Sequence, residues 1–163
     1  MKKCYRILLT VTLLLMLPGG AFAQKWAYKS DCGDGLTIVK DKDGKWGFID
    51  EKGKILGQMW RNVGYFQEDL APVEDENERY GFIDRTGTVV IPCQFKYAYW
   101  FNEGMAWITS DDGFNHGYID KTGKIVIPCI YKETRSFSNG VARVVDEDGN
   151  EFYIDKTGKK VEE

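Results

Sequence analysis

The 163-residue sequence predicts an all-β fold assembled from tandem units of about 35 residues, and three observations carry that expectation. The first is recurrence. Gly47-Phe48-Ile49-Asp50-Glu51-Lys52-Gly53 returns as Gly81-Phe82-Ile83-Asp84-Arg85-Thr86-Gly87 and again as Gly117-Tyr118-Ile119-Asp120-Lys121-Thr122-Gly123. A final version reads Phe152-Tyr153-Ile154-Asp155-Lys156-Thr157-Gly158, so the four aspartates stand 34, 36 and 35 residues apart. A fixed period of this length marks a repeat architecture in which each unit buries its apolar face against its neighbours. The second observation is that short aromatic and β-branched runs are separated by Asp-x-x-Gly, which is turn chemistry. The third is that no window beyond residue 23 sustains an apolar period of 3.6 residues, which argues against helices.

Taken in chain order, the first element is an address rather than part of the fold. Lys2, Lys3 and Arg6 precede an apolar run over residues 7–17, Pro18-Gly19-Gly20 breaks it, and Ala21-Phe22-Ala23 supplies the small-x-small pattern of a signal-peptidase site. Cleavage is expected between Ala23 and Gln24, giving an exported mature chain, periplasmic or extracellular. Eleven residues rising about 1.5 Å each do not cross a hydrocarbon core of about 30 Å, so no stable membrane span is expected. Residues 24–44 then form an N-terminal segment with a partial repeat, in which residues 36–39 match residues 70–73. Three units follow at 45–79, 80–115 and 116–150, and a partial C-terminal repeat occupies 151–163.

Within a unit, the run from Trp46 to Asp50 and its copies reads as a strand, and Asp-x-x-Gly as the hairpin turn. There the carboxylate accepts backbone N–H bonds while glycine takes the positive φ. Val89-Val90-Ile91 and Ile125-Val126-Ile127 are return strands, which Pro92 and Pro128 are expected to stop because proline has no N–H to give the ladder. A third strand, such as residues 105–108, leads through a polar turn into the next hairpin. The two end fragments are complementary halves of a unit. They close a ring if the strand near Leu36 lies beside Ile154, and cap an open array if it does not.

Trp46-Gly47 together with Gly-Phe-Ile-Asp-x-x-Gly, the Val-Ile-Pro return strand and Phe-x-x-Gly-x-Ala resembles the WG repeat family over about residues 36–161. Tyr80, His116 and Glu151 stand in place of the tryptophan in later copies, and Phe152 in place of the last glycine. The resemblance implies a propeller-like or β-solenoid array of hairpins in bacterial proteins that bind other molecules, and it implies no enzymatic activity.

Charge and composition narrow the partners. The first 23 residues carry three basic and no acidic side chains, so the mature chain has 19 Lys and Arg against 25 Asp and Glu. That balance argues against nucleic acid. His116 falls in a repeat column and has no sequence partner for catalysis; the turn aspartates Asp50, Asp84, Asp120 and Asp155 read as structural. Asp41-Lys42-Asp43-Gly44, Asp111-Asp112-Gly113 and Asp146-Glu147-Asp148-Gly149 complete no calcium loop, and with residues 74–78 they are expected to line one acidic edge. No cofactor and no metal are expected. Cys93 and Cys129 occupy equivalent places; free buried thiols are the favoured reading and a disulfide the alternative.

The departures between copies point to a surface. Tyr97, Tyr99, Trp100 and Trp107 stand where the next unit has Glu133, Arg135, Ser136 and Arg143. Places that accept charge in one unit face water in its sibling, so these aromatics, joined by Trp60 or Tyr65, form a candidate ligand-binding patch for a protein or a polysaccharide. Packing on the neighbouring unit is the competing account. The expected function is a non-catalytic binding module; a self-associating scaffold of the cell envelope is the alternative.

Overall fold

The computed structural model describes residues 25–162, and the expected export signal at residues 1–23 lies outside the described residues. Fourteen strands, and no helix, occur among the described residues. They form four antiparallel sheets. The first holds β1 (Tyr28–Gly33), β2 (Leu36–Lys40), β3 (Trp46–Ile49) and β4 (Ile55–Trp60) in that order. The second holds β5 (Asn62–Val63), β6 (Leu70–Glu74), β7 (Tyr80–Asp84) and β8 (Val89–Phe95). The third is built from β9 (Met105–Thr109), β10 (His116–Asp120) and β11 (Ile125–Tyr131), and the fourth from β12 (Glu133–Thr134), β13 (Val141–Val145) and β14 (Glu151–Asp155).

Sheets and sequence units are out of step. Each sheet takes the third strand of one unit and the hairpin of the next, as when β6 pairs with β7 from Leu70↔Asp84 to Glu74↔Tyr80. The ends do not complete one another: β2 lies between β1 and β3, while Ile154 pairs with Ala142 and Lys160. The array is therefore open by the criterion of strand pairing. β1, which its polar sequence does not announce, extends the first sheet.

The turns follow from the aspartates. Asp84 accepts the Thr86 N–H at 2.8 Å, the Thr86 hydroxyl at 2.6 Å and the Thr88 N–H at 3.0 Å. Asp120 and Asp155 accept the same groups from Thr122 and Lys124 and from Thr157 and Lys159. One oxygen thus satisfies donors that a two-stranded turn leaves open. Gly87, Gly123 and Gly158 supply the positive φ that closes each turn.

Alternation along the central strands sends adjacent residues to opposite sheet faces. Phe82 packs towards the third sheet and Ile83 towards the first. The seams are equivalent: Phe48 meets Phe66, Phe82 meets Phe101 and Tyr118 meets Phe137, each with ring centroids 4.8 Å apart. The outer face of the first sheet is covered by Trp26, which seals Val39 and Ile49. On the fourth sheet the residue equivalent to Phe48, Phe82 and Tyr118 is Tyr153, which is 49% exposed.

Two charge ladders run across the seams. At one end of the sheets, Asp34 pairs with Arg85, Glu68 with Lys121 and Glu103 with Lys156. Glu68 and Glu103 also accept the backbone N–H of Gly104 and Gly140 at 2.9 Å. At the other end, Lys45 meets Glu76, Arg79 meets Asp111 and Lys132 meets Glu147. The expected acidic edge is thus corrected to an ion-pair ladder, because three of its four acidic turns, 74–78, 111–113 and 146–149, face a cation from an adjoining turn or strand.

Pro92 and Pro128 do not stop their strands. Both lie inside β8 and β11, where the register slips between Phe82↔Ile91 and Tyr80↔Phe95, and likewise between Tyr118↔Ile127 and His116↔Tyr131. An outer strand has a free edge, and a bulge there accommodates a residue without an N–H. The bulge explains the glycine: a Cβ on Gly117 would lie 2.4 Å from the Ile127 carbonyl oxygen and 2.7 Å from the Cys129 nitrogen, and Gly81 is equally confined. No bulged strand crosses the fourth sheet among the described residues, and there Phe152 fits.

Gly117→Ala is expected to lower stability by about 1–3 kcal/mol, the usual range for overpacking, because only backbone stands in the way. Urea unfolding reads this directly, and an unchanged midpoint would contradict the close approach. Acid is the second test. Bonds from Thr86, Thr122 and Thr157 hold the Asp84, Asp120 and Asp155 carboxylates below the ordinary aspartate range. The unfolded chain then takes up protons first, so stability is complete above about pH 4 and drains as pH falls through the lower folded values. The urea midpoint should fall between about pH 4 and pH 2; a flat profile would show that these bonds are not formed.

Candidate functional site

The aromatic positions singled out by repeat comparison divide in the structure. Residues 97–99 run beside β9, with the Thr109 N–H donating to the Tyr97 carbonyl at 3.1 Å and the Tyr99 N–H to the Trp107 carbonyl at 3.0 Å. This antiparallel pairing puts Ala98 and Ile108 on the face towards the second sheet, where both are buried. Tyr97, Tyr99 and Trp107 consequently project from the opposite face.

There they form one continuous wall. Trp107 stacks on Tyr99 at 4.9 Å with planes 21° apart, and Tyr99 lies 3.7 Å from Trp100. Tyr97 bridges Trp107 at 5.3 Å and Tyr80 of the second sheet at 4.9 Å, and His116 adds its ring 5.3 Å from Trp107. Tyr97 is the most exposed of the cluster at 38%; Tyr99, Trp100 and Trp107 are half-buried. The rings pack on one another and on Tyr80 of the second sheet, and each keeps part of its surface exposed.

Two expected members lie elsewhere. Trp60 is a core residue, only 3% exposed at the seam of the first two sheets, because it ends β4 facing Phe48 and Phe66. The patch is corrected accordingly. Tyr65 is exposed, but it makes no ring contact with the wall. Tyr80 and His116 also belong to the wall, although their place in the tryptophan column of the repeat carries no signal of it.

Cavities flank the Tyr99–Trp100 pair on two sides. One of about 340 Å³ is bounded by Tyr99, Trp100 and Trp107 on the third sheet and by Thr134, Arg135 and Ser136 on the chain entering the fourth. The other, about 120 Å³, lies between Tyr97, Tyr99 and Trp100 and the small residues Gly64 and Pro72 of the second sheet. The floor of the first is fixed by the Tyr118 hydroxyl, which bonds the Thr134 hydroxyl and donates to the Arg135 carbonyl at 2.7 Å. Burial pushes that phenol up to about 12, so it stays a neutral donor.

His116 sits on β10 opposite Thr109. Its Nδ1 and the Thr109 hydroxyl are buried without a hydrogen-bond partner. Burial lowers the His116 pKa against the opposing pull of Glu133, which favours the neutral ring against the wall. Among the described residues, no three His, Cys, Asp or Glu side chains gather as metal ligands. The calcium-like fragments serve as turns: Asp41 accepts the Asp43 and Lys45 N–H groups, and Asp146 those of Asp148 and Asn150.

A model of the WG containing repeat matches residues 46–78, 80–113 and 117–150. The chain belongs to the WG repeat family. No curated protein matches the sequence. Among solved structures, the WG repeat array is similar to the computationally designed Ika4 protein, with 11% identity, a TM-score of 0.48, and coverage of 76% of this chain and 86% of that one. It is also similar to BamB from Moraxella catarrhalis, at 13% identity and a TM-score of 0.47, covering 80% of this chain and 45% of that one. For the WD40 beta propeller domain of Doa1 the figures are 12%, 0.43, 78% and 50%. The chain spans about half the length of the latter two.

The cysteines of the repeat are free thiols. Cys93 and Cys129 sit in the bulges of β8 and β11, and Cys32 donates to the Leu36 carbonyl at 3.1 Å beside the first seam. Burial raises all three, Cys93 to about 11. Since the thiolate is the nucleophile, iodoacetamide at pH 8 should label all three slowly in the native protein and quickly in urea, as mass spectrometry would record. Rapid native labelling of Cys93 would contradict its burial.

Proposed function

We propose that this WG repeat protein is an exported, non-catalytic binding module whose ligand docks against the aromatic wall of the third sheet. The carrying observation is the run of rings Tyr80, Tyr97, Trp107, Tyr99 and Trp100, cavity-flanked on two sides and half-open to solvent. Aromatic residues offer large contact area at low conformational cost, and a cluster kept partly wet in a folded chain is what ligand surfaces use. Export is supported by the charged, apolar and small-residue succession over residues 2–23, and it places the ligand in the cell envelope or outside.

A second reading has its own support. Tyr153 stands exposed where its equivalents are sealed by the next sheet, which favours a scaffold that self-associates through the fourth sheet. Light scattering over a concentration series separates the two, since only the scaffold gains mass without added ligand.

The binding reading is tested on glycan arrays and with cell-envelope extracts, using Trp100→Ala and Trp107→Ala. Loss of at least tenfold in binding with the fold retained by circular dichroism is the expected result. Unchanged binding together with a lower melting temperature would assign the wall to packing alone.

A further inference from the structure

The larger cavity beside the wall carries a charge that pairs with no other group among the described residues. Five arginines lie among the described residues, and four are paired: Arg61 with Glu74 and Glu78, Arg79 with Asp111, Arg85 with Asp34 and Asp69, and Arg143 with Glu133 and Glu151. Arg135 has no carboxylate within ion-pair distance among the described residues. Its backbone is held on both sides, its N–H donating to the Arg143 carbonyl at 3.0 Å and its carbonyl accepting from Tyr118 at 2.7 Å. The exposed Arg135 thus lines the 340 Å³ cavity from a backbone that is held in place, together with the half-buried Tyr99, Trp100 and Trp107.

From this we propose that the cavity binds a carboxylate-bearing pyranose, a uronic-acid residue of a polysaccharide. The inference rests on the wall being a ligand surface. A pyranose ring presents a flat face of C–H groups with partial positive charge, which the negative face of an aromatic ring attracts. Its carboxylate matches the planar fork of a guanidinium, which donates two parallel hydrogen bonds. Ser136 offers a hydroxyl beside them for the ring hydroxyls. A single unpaired arginine in a chain with excess acid suits sparse carboxylates better than the dense charge of a nucleic acid. The smaller cavity across the Tyr99–Trp100 pair has no charged lining residue, so it accommodates a neutral sugar next in the chain.

The geometry also separates an acidic sugar from an acidic peptide. A peptide aspartate satisfies Arg135 but leaves the ring faces without a matching surface. A uronate uses both.

The experiment titrates trigalacturonate and its methyl ester, which keeps the sugar shape and removes the charge, into the mature protein and into Arg135→Leu, Arg135→Lys and Trp100→Ala. Calorimetry and tryptophan fluorescence are the readouts. Wild type should bind the acid at least tenfold tighter than the ester, with affinity falling as salt rises. Arg135→Leu should abolish that preference, with the acid bound no tighter than the ester, and Arg135→Lys should restore part of it. Equal affinity for acid and ester in wild type, or a preference that survives Arg135→Leu, would overturn the assignment. So would an Asp-rich hexapeptide competing as well as the acid. If a neutral sugar binds and Trp100→Ala removes it while Arg135 is indifferent, the charge assignment fails and the wall stands as a ligand surface. If neither sugar binds and Trp100→Ala changes only stability, both fail.

Discussion

One aromatic pair at each seam holds this array together. Phe48 on Phe66, Phe82 on Phe101 and Tyr118 on Phe137 repeat the same 4.8 Å contact, with planes 54° to 60° apart. A sheet of three or four short strands has two faces to bury and little side-chain volume to bury them with, so its stability comes from its neighbours. The partner phenylalanines sit at the mouths of turns just before β6, β9 and β13, and those turns need residues with positive φ: Glu68, Glu103 and Asn139. Where the turn residue is acidic, it also reaches forward to the next unit. Glu68 takes the Gly104 N–H and the Lys121 ammonium, and Glu103 takes those of Gly140 and Lys156. Exposed ion pairs are worth about 1 kcal/mol or less, so these fix the spacing of turns around seams that apolar packing has already paid for.

Gly81 and Gly117, which follow Tyr80 and His116, answer to a different constraint, the outer strand. Its bulge brings the backbone around Pro92 or Pro128 onto the central strand, and only a residue without a side chain fits beneath. Phe152 shows the converse. It stands on the fourth sheet at the glycine position, packs against Tyr131 and the last seam, and carries the Lys160 ammonium over its ring. A departure that looks like decay of the repeat is thus a local solution where, among the described residues, no bulged return strand covers the position.

Much of the fold was legible because its rules are periodic. The Asp-x-x-Gly turns, the strand alternation and the unit length are each written several times, so one degenerate copy such as residues 53–60 does not obscure them. The phase of the sheets was not legible, because the same strands form equally regular sheets whether cut before or after β6, and only tertiary pairing chooses. Pro92 and Pro128 do not end their strands for a related reason: proline breaks the ladder of a central strand, whereas on these edge strands a bulge absorbs it. The two-residue strands β5 and β12 and the polar β1 lack any hydrophobic pattern to read. For the site, comparing copies found four of the wall's residues but included Trp60, since its burial depends on a seam invisible in a linear alignment. It omitted Tyr80 and His116, whose column is structural in one sheet and contributes rings to the wall in others.

That mixture has a physical basis. Positions that seal a seam cannot vary without loosening two sheets at once, whereas the positions equivalent to Tyr97, Tyr99 and Trp107 differ in kind from sheet to sheet. In the second sheet they are Asn62, Gly64 and Pro72, and in the fourth Glu133, Arg135 and Arg143. The small set leaves space on one side of the third sheet's rings, and Thr134 and Ser136 leave space on the other. A wall of large rings with cavities on both flanks therefore requires three unlike units in succession. Identical copies would either fill each cavity with the next unit's rings or supply no rings to line it, so divergence at the variable column is what turns a regular array into one with a single distinctive surface.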